Sequence, residues 1–268
     1  VRLRLNNLSQ ASDDPFGTHL TDINLEVMAG EILGIAGVSG NGQRELLYAI
    51  SGEMPLASDH PIEVCGQAVG SQSPDIRRRV GMGFVPEERL GRGAVPAMSL
   101  GDNALLTAHA YRFDDNGSAT MLKNGMIQFS RVAQFTNQCI DRFRVKCGGP
   151  TAQAQSLSGG NLQKFIMGRE ILQSPRLLVV AQPTWGVDVG AAAFIRQQLI
   201  DLRNTGAAIL VVSEELEELF EISDRIAVMA KGRLSPAVKL ADTNVDEIGL
   251  WMSGMWPNND LAEAVHHV

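Results

Sequence analysis

The stretch EILGIAGVSGNGQRELLYAISG, residues 31–52, constrains the fold more than any other part of the chain. Glu31 to Val38 is an apolar run suited to a buried strand, SGNG follows it directly, and QRELLYAIS has the composition of a helix. Strand, glycine loop and helix in immediate succession make a βα unit, and βα units assemble into parallel sheets wrapped by helices. Gly37 and Gly42 enclose Val38, Ser39, Gly40 and Asn41 in the G-x-x-x-x-G spacing of a loop that cradles phosphate. Glycines let the main chain close around an anion with its N–H groups. The helix that begins near Gly42 aims the positive end of its dipole at the same point. A glycine-rich turn used only for tight strand-to-helix packing is the plainer alternative.

The flanking sequence fits such a chain. VRLRL and LTDINLEVMAGE alternate apolar and polar residues, the period-two pattern of half-buried antiparallel strands. From Ser99, a candidate helix N-cap, SLGDNALLTAHAYRF and QFSRVAQFTNQCIDRF have helical spacing on either side of the polar loop DDNGSATMLKNG. NLQKFIMGREILQ places Leu162, Phe165, Ile166 and Leu172 on roughly one helical face. LLVVA (177–181) and AAILVVS (207–213) are short buried strands. AAAFIRQQLIDLR between them carries a stripe of Ile195, Leu199 and Leu202, and EELEELFEI repeats one at Leu216, Leu219 and Phe220. RIAVMAKGRLSPA predicts a closing hairpin around Lys231-Gly232. The expected fold is α/β: an antiparallel β subdomain, a mostly parallel core sheet flanked by helices, and a helical subdomain. Residues 1–98 hold the antiparallel strands and the phosphate-loop part of the core, 99–160 the helical subdomain, 161–241 the rest of the core and 242–268 a tail.

A second motif, Leu157-Ser158-Gly159-Gly160-Asn161-Leu162-Gln163, opens a helix shortly before LLVVA, and Gln182-Pro183-Thr184 and Gly186-Val187-Asp188 follow that strand. A serine N-cap and two glycines at a helix N-terminus again make an anion site, here presented outward; an ordinary capped helix is the alternative. LSGGxxQ ahead of such a strand, with a glycine loop far upstream, resembles the signature of ABC-transporter ATPases. The resemblance covers nearly the whole chain and implies a P-loop ABC-type ATPase fold whose helical subdomain ends in the signature. It places Phe16 where these ATPases carry the aromatic that stacks on adenine, a core phenylalanine being the alternative. It places Glu87, in FVPEER, at the Q-loop in the glutamine's position, Ala181 and Gln182 at the Walker B positions, Asp188 in the D-loop and Glu214 at the switch position. Asp224-Arg225-Ile226 and Lys231-Gly232-Arg233 match the usual end of the domain. More narrowly, GIAGVSGNGQREL, FVPEER, LSGGNLQK, AQPTWGVDVGA and SDRIAVM resemble the second, C-terminal nucleotide-binding domain of the double-domain ATPases that power simple-sugar and nucleoside importers. The AQPT and GNGQ variants lean toward the nucleoside type. Such ATPases usually carry Arg where this chain has Trp185.

A working P-loop ATPase needs a lysine on the β- and γ-phosphates, a hydroxyl on Mg²⁺, an acidic residue at the end of the Walker B strand and a group that orients water. Gln43 stands in the lysine's place. Arg44 stands in that of the hydroxyl, and a guanidinium cannot ligate a cation. Ala181 and Gln182 remove the metal-side carboxylate and the general base, and Glu214 replaces the switch histidine. Loss of a general base alone costs about 10²–10⁴-fold in rate. The chain's own loop is therefore expected to hold no catalytic residue and to hydrolyse ATP negligibly, although the backbone cradle and Arg44 leave room for weak nucleotide binding. LSGGNLQ, by contrast, is intact. The resemblance implies two domains paired head to tail, each ATP lying between the P-loop of one and the signature of the other. Ser158, Gly159, Gly160 and Gln163 are then expected to complete, in trans, an ATP and Mg²⁺ site on an N-terminal domain of the same polypeptide. Transmembrane permease subunits and, indirectly, a substrate-binding protein are the further partners implied, at the cytoplasmic face of the membrane. The start at Val1 fits a cut between two such domains.

Composition bounds the alternatives. Lys plus Arg number 23 and Asp plus Glu 30, a net charge of −7, which argues against a nucleic-acid partner. It argues, with the absence of a coiled-coil insertion or basic linker, against a soluble ABC-type ATPase acting on nucleic acid or the ribosome. A purely regulatory nucleotide-binding domain is the other alternative. The 3 cysteines lack paired spacing, and His266-His267 stands alone, so neither a disulfide framework nor a metal site is expected. No apolar run reaches the roughly 18 residues of a membrane span, and VRLRLNNLSQ lacks a signal-peptide apolar segment, so neither a spanning nor a secreted chain is expected. Glycine is in excess, at 27 residues. Gly34, Gly37, Gly40, Gly42, Gly159, Gly160, Gly186 and Gly190 are expected at anion cradles or the loops after them. Met82, Met167 and Met229 are expected as core filler, and Glu214 to Glu221 as a solvated helix face.

Overall fold

The computed structural model describes residues 1–12, 14–110 and 120–257. His266 and His267 lie outside the described residues, as does much of the polar loop DDNGSATMLKNG. The alternating segments form β1 (Leu3–Gln10) and β2 (Leu20–Val27), paired antiparallel with Leu3 opposite Val27 and Leu5 opposite Leu25. The wholly buried β3 (Ile32–Ala36) runs through the glycine loop into α1 (Gln43–Ser51). β4 (Ile62–Val64) and β5 (Gln67–Ala68) complete a four-stranded antiparallel sheet ordered β2-β1-β4-β5. α2 (Pro74–Arg79) leads into β6 (Met82–Val85). Next come α3 (Leu100–Ala108), capped by Ser99, the short hairpin of β7 (Leu122–Lys123) and β8 (Met126–Ile127), and α4 (Phe129–Arg142). Helix and strand then alternate: α5 (Gly159–Ile171), β9 (Leu177–Ala181), α6 (Val189–Asn204), β10 (Ala208–Ser213), α7 (Leu216–Ile222) and β11 (Arg225–Ala230). β12 (Arg233–Leu234), β13 (Val238–Lys239) and α8 (Val245–Trp251) follow. Lys231 and Gly232, both at positive φ, make the tight turn between β11 and β12.

The central sheet is ordered β12-β11-β3-β10-β9-β6, with β13 also on β11; β11, β3, β10, β9 and β6 are mutually parallel. Parallel strands buried on both faces feed alternate side chains into two cores. Ile32, Val180, Ile209 and Val211 join a core with α3 to α8, while Leu33, Ile35, Val179 and Leu210 join one with α1 and the antiparallel sheet. Met82, Met167 and Met229 are buried in these layers, as expected of core filler.

α5 departs from its expected single apolar face. Leu162, Gln163 and Phe165 to Ile171 are all buried, because the helix is enclosed by α3, α4, α6 and β6. A Cβ on Gly168 would lie 2.6 Å from the Phe143 ring, so α5 approaches its neighbours closely. Its C-terminal half carries a buried polar anchor. Arg169 donates to Gly93 O (2.9 Å), Asn103 O (3.2 Å) and Glu170 Oε1 (3.0 Å), and Arg78 meets Glu170 at 2.7 Å. Gly34 is also explained by packing and not by an anion: a Cβ there would lie 2.7 Å from Ser223 Oγ and 3.1 Å from Leu219 Cδ2. No helix among the described residues is long and apolar enough to cross a membrane.

Candidate functional site

The loops after β3, β6, β9 and β10 gather at the carboxyl ends of the parallel strands, where open α/β sheets bind ligands. They enclose a cavity of ≈ 420 Å³ that brings together Phe16, Gly37, Ser39, Gly40, Gln43, Arg44, Glu87, Ala181, Gln182 and Glu214. Phe16 stands at its edge, 96% exposed, which excludes the core alternative.

The glycine loop has the expected backbone course, but its own side chains occupy it. Gln43 folds back so that its Nε2 donates to Val38 O (2.9 Å) and its Oε1 accepts from Asn41 N (3.1 Å). Asn41 donates from Nδ2 to Val38 O (2.9 Å) and accepts from Lys231 N (2.9 Å). The Gln43 amide lies against Gly37, where a Cβ would come within 2.3 Å of Nε2. Arg44, the cavity's cation, is paired with Asp14 (3.1 Å) and Glu45 (3.3 Å). Glu87, Glu88 and Glu214 add further carboxylates to the lining. Burial, then the charges of Glu214 and Glu88, push the Glu87 carboxyl above its ordinary range. The carboxylates of this lining oppose a triphosphate.

At the far wall, Ala181 is buried and Gln182, at positive φ, accepts from Glu214 N (3.3 Å). The amide thus ties the end of β9 to the end of β10. Behind it lies a residue that the sequence pattern misplaces. Glu218, expected on a solvated face, is buried and accepts from Thr184 Oγ1 (2.7 Å) and Ser213 Oγ (3.0 Å). Burial raises its carboxyl above the ordinary range even though both hydroxyls favour the charged form. Glu214, Glu215, Glu217 and Glu221 are exposed, as expected, but α7 packs on β3 and β10 and turns position 218 inward beside Leu219 and Ile222. In EELEELFE the stripe of Leu216, Leu219 and Phe220 does not by itself single out position 218 as the enclosed acid.

The second group of candidate residues sits apart from this cavity. Ser158 caps α5, its Oγ accepting from Asn161 Nδ2 (2.9 Å) and, at 3.5 Å, from Asn161 N. The first bond of the helix runs from Leu162 N to Ser158 O (2.9 Å), so the N–H groups of Gly159 and Gly160 lie ahead of it. Ser158 and Gly159 are exposed. Asp188 caps α6 by accepting from Ala191 N (2.9 Å), and that bond holds its carboxyl below the ordinary range. A Cβ on Gly160 would lie 3.9 Å from Asp188 Oδ2, so the two caps are neighbours. Gln163 is buried one turn into α5, accepting from Arg89 Nε (3.0 Å) and donating to Pro183 O (3.0 Å). Arg89 was legible only as a letter of FVPEER; its contact with Gln163 is tertiary.

A parallel sheet with a glycine loop between its β3 strand and a helix, and a serine-capped glycine helix ahead of β9, defines a P-loop nucleotide-binding cassette. The chain belongs to the ABC transporter family, whose model matches residues 20–185. It is 39% identical, over 87% of its length, to the guanosine import ATP-binding protein NupO of Bacillus subtilis, and 38% identical, also over 87%, to the nucleoside import ATP-binding protein NupA of Lactococcus lactis. It is 39% identical over 94% of its length to the glucose import ATP-binding protein TsgD13 of Haloferax volcanii. The chain spans only 44% of the length of each of these relatives. Among solved structures, the ATP-binding subunit of an ABC transporter superposes with a TM-score of 0.74 at 19% identity, covering 94% of this chain and 100% of the other. The dimeric cassette MJ0796, in a post-hydrolysis state with ADP and Pi, superposes with a TM-score of 0.73 at 19% identity, covering 89% and 98%. These likenesses show the ABC ATPase fold.

Proposed function

We propose that this chain is the C-terminal nucleotide-binding half of a double-domain importer ATPase for nucleosides or simple sugars, and that it works as the signature donor. Ser158, Gly159 and Gly160, with Gln163 behind them, complete a Mg²⁺-ATP site on the P-loop of an N-terminal domain in the same polypeptide. The chain's own loop at Gly37 to Arg44 is structural. The observation that carries this reading is the contrast between Gln43, whose amide is bonded inside its own loop, and the exposed, serine-capped end of α5. The own cavity does not fit Mg²⁺-ATP: no carboxylate stands at Ala181 or Gln182, the cation Arg44 is paired, and the remaining charged lining is acidic. The end of α5 fits a terminal phosphate, which would take the leading N–H groups and the Ser158 hydroxyl.

The names of the relatives support nucleosides or sugars as cargo and hence transmembrane permease subunits and a substrate-binding protein as partners. The domain would act at the cytoplasmic face of the membrane, with residues 99–160 as the helical subdomain that meets the permease. Two measurements test the reading. Ser158→Arg in the assembled transporter should abolish transport-coupled hydrolysis, whereas Gln43→Ala should leave it near the wild-type rate. The isolated chain should release no phosphate from ATP above background; turnover at the rate of an ordinary cassette would refute the assignment.

A further inference from the structure

The loop after β6 carries a guanidinium in unusual circumstances. Arg89 lies two positions beyond Glu87, and among the described residues it forms no ion pair. Its Nε donates to Gln163 Oε1 (3.0 Å), its guanidinium carbon sits 5.9 Å from the centroid of the Trp185 ring, and its Nη2 is buried without a hydrogen-bond partner. Two glycines make its slot. A Cβ on Gly159 would lie 2.9 Å from Nη1, and one on Gly186 would lie 3.7 Å from Nη2. The glycines of the signature and of the turn after β9 therefore make room for Arg89 as well as for any phosphate. The loop itself is closed by Gly93 N to Glu88 O (2.9 Å) and Ala94 N to Arg89 O (2.7 Å).

A half-buried guanidinium with its Nη2 shut off from any partner and no carboxylate beside it is costly, and an apolar side chain would fill the same slot more cheaply. What arginine adds is direction: a planar fork whose Nε–H points at one acceptor while its face lies along an aromatic ring. The acceptor, Gln163, is itself tied to Pro183 O, so one side chain joins three segments: the loop from Glu87, the first turn of α5, and the turn from Gln182 to Asp188. Trp185, 59% exposed, covers the guanidinium from outside. The far end of α5 is fixed separately by Arg169 and Glu170 in the core, so the contact at Gln163 bears on the aim of the exposed end and not on whether the helix forms.

We propose that Arg89 is a positioning residue: through Gln163, and braced by Trp185, it sets the Ser158 to Gly160 end of α5 against the turn that ends at Asp188. It thereby links that end to the loop that borders the chain's own cavity at Glu87. The inference rests on the signature acting in trans, as proposed above.

The test is steady-state ATP hydrolysis by the assembled transporter carrying Arg89→Ala, Arg89→Lys, Gln163→Ala or the Arg89→Ala/Gln163→Ala pair, with Ser158→Arg alongside. Arg89→Ala should lower kcat by about tenfold or more with KM for ATP within about twofold, because the partner's P-loop holds the nucleotide and only contacts made in the transition state are misdirected. Arg89→Lys should fall between, since an ammonium keeps the charge but not the planar Nε contact. Gln163→Ala should match Arg89→Ala, and the pair should be no worse than either alone. A purely structural role would lower Tm and leave kcat per folded molecule unchanged. That result, an effect confined to KM, or multiplicative single and double losses would overturn the proposal. If Arg89→Ala does not accumulate, Arg89→Lys and Gln163→Ala supply the same kcat-against-KM split. Wild-type turnover by Ser158→Arg would overturn the signature reading itself, whereas a dead Ser158→Arg beside an unaffected Arg89→Ala would sink only the role of Arg89.

Discussion

At the start of α1 the Gln43 amide bonds back to Val38 O and Asn41 N of its own loop, while the start of α5 carries two glycines under an exposed serine cap. Both are glycine-rich helix N-termini, and both would pass as anion sites on backbone grounds. Their surroundings separate them. Around α1 the charged neighbours are Asp14, Glu45, Glu87, Glu88 and Glu214, with Arg44 already paired. Beside α5 stand Arg89, with no ion pair among the described residues, and the Asp188 carboxylate, which caps α6. The same backbone device meets different charges according to which side chains reach it from elsewhere in the chain.

The contrast is most exposed to Gly159→Val. The new side chain would meet Arg89 Nη1 and crowd the first turn of α5, so turnover of the assembled transporter should fall by about 10²-fold or more, the scale of losing an anion-binding donor. Near-normal phosphate release would end the distinction between the two helix ends. Next in size is nucleotide affinity at the α1 cavity. Calorimetric titration of the isolated chain with Mg²⁺-ATP should show a Kd no tighter than about 1 mM. The Glu87→Gln/Glu214→Gln pair should tighten it about tenfold, because both carboxylates line the cavity and oppose an anion placed there. Micromolar binding by the unaltered chain would mean that Gln43 and the acidic lining do not keep nucleotide out.

Gly40→Ala sharpens the comparison from the other side. Nothing lies within 4 Å of the new Cβ, but φ is +85°, so stability should fall by about 1 kcal/mol from backbone strain while transporter turnover stays unchanged. The smallest effect concerns Glu218, behind the α1 cavity. Its carboxyl titrates above the ordinary range in the folded state, so its contribution to stability is full in acid and is lost as pH rises through that raised value. Glu218→Gln should therefore raise Tm slightly near about pH 8 and give no gain in acid below the usual carboxylate range. A fall in Tm near neutrality would show that the charged form, held by Thr184 and Ser213, is the favoured one.

Much of the fold was legible because its signals are local. The alternation of β1 and β2, the strand–loop–helix at residues 31–52 and the caps Ser99 and Ser158 all act over a few residues, and the structure contains them where the pattern predicts. The candidate residues were legible as two sets, and the structure places them as two sets: one around the cavity, the other around the starts of α5 and α6. What stayed hidden is non-local. α5 shows an incomplete stripe in sequence, but enclosure by four elements buries every residue from Phe165 to Ile171. Gly34 stands beside a glycine loop, yet α7 is the reason for it. Glu218 differs from the other acids of its run only in the direction in which α7 turns it.

The sequence alone determined which groups these positions do not offer, since Gln43, Arg44, Ala181 and Gln182 carry no ammonium, aliphatic hydroxyl or carboxylate in any conformation. It also determined that LSGGNLQ opens a helix, because serine caps and glycines act on the residues next to them. Only the tertiary structure decided that Gln43 fills its own loop, that acids from four separate segments converge on that cavity, and that Arg89 reaches Gln163 under Trp185. Those contacts join residues far apart in the chain, and they form only because parallel strands bring the loops at their carboxyl ends into one place.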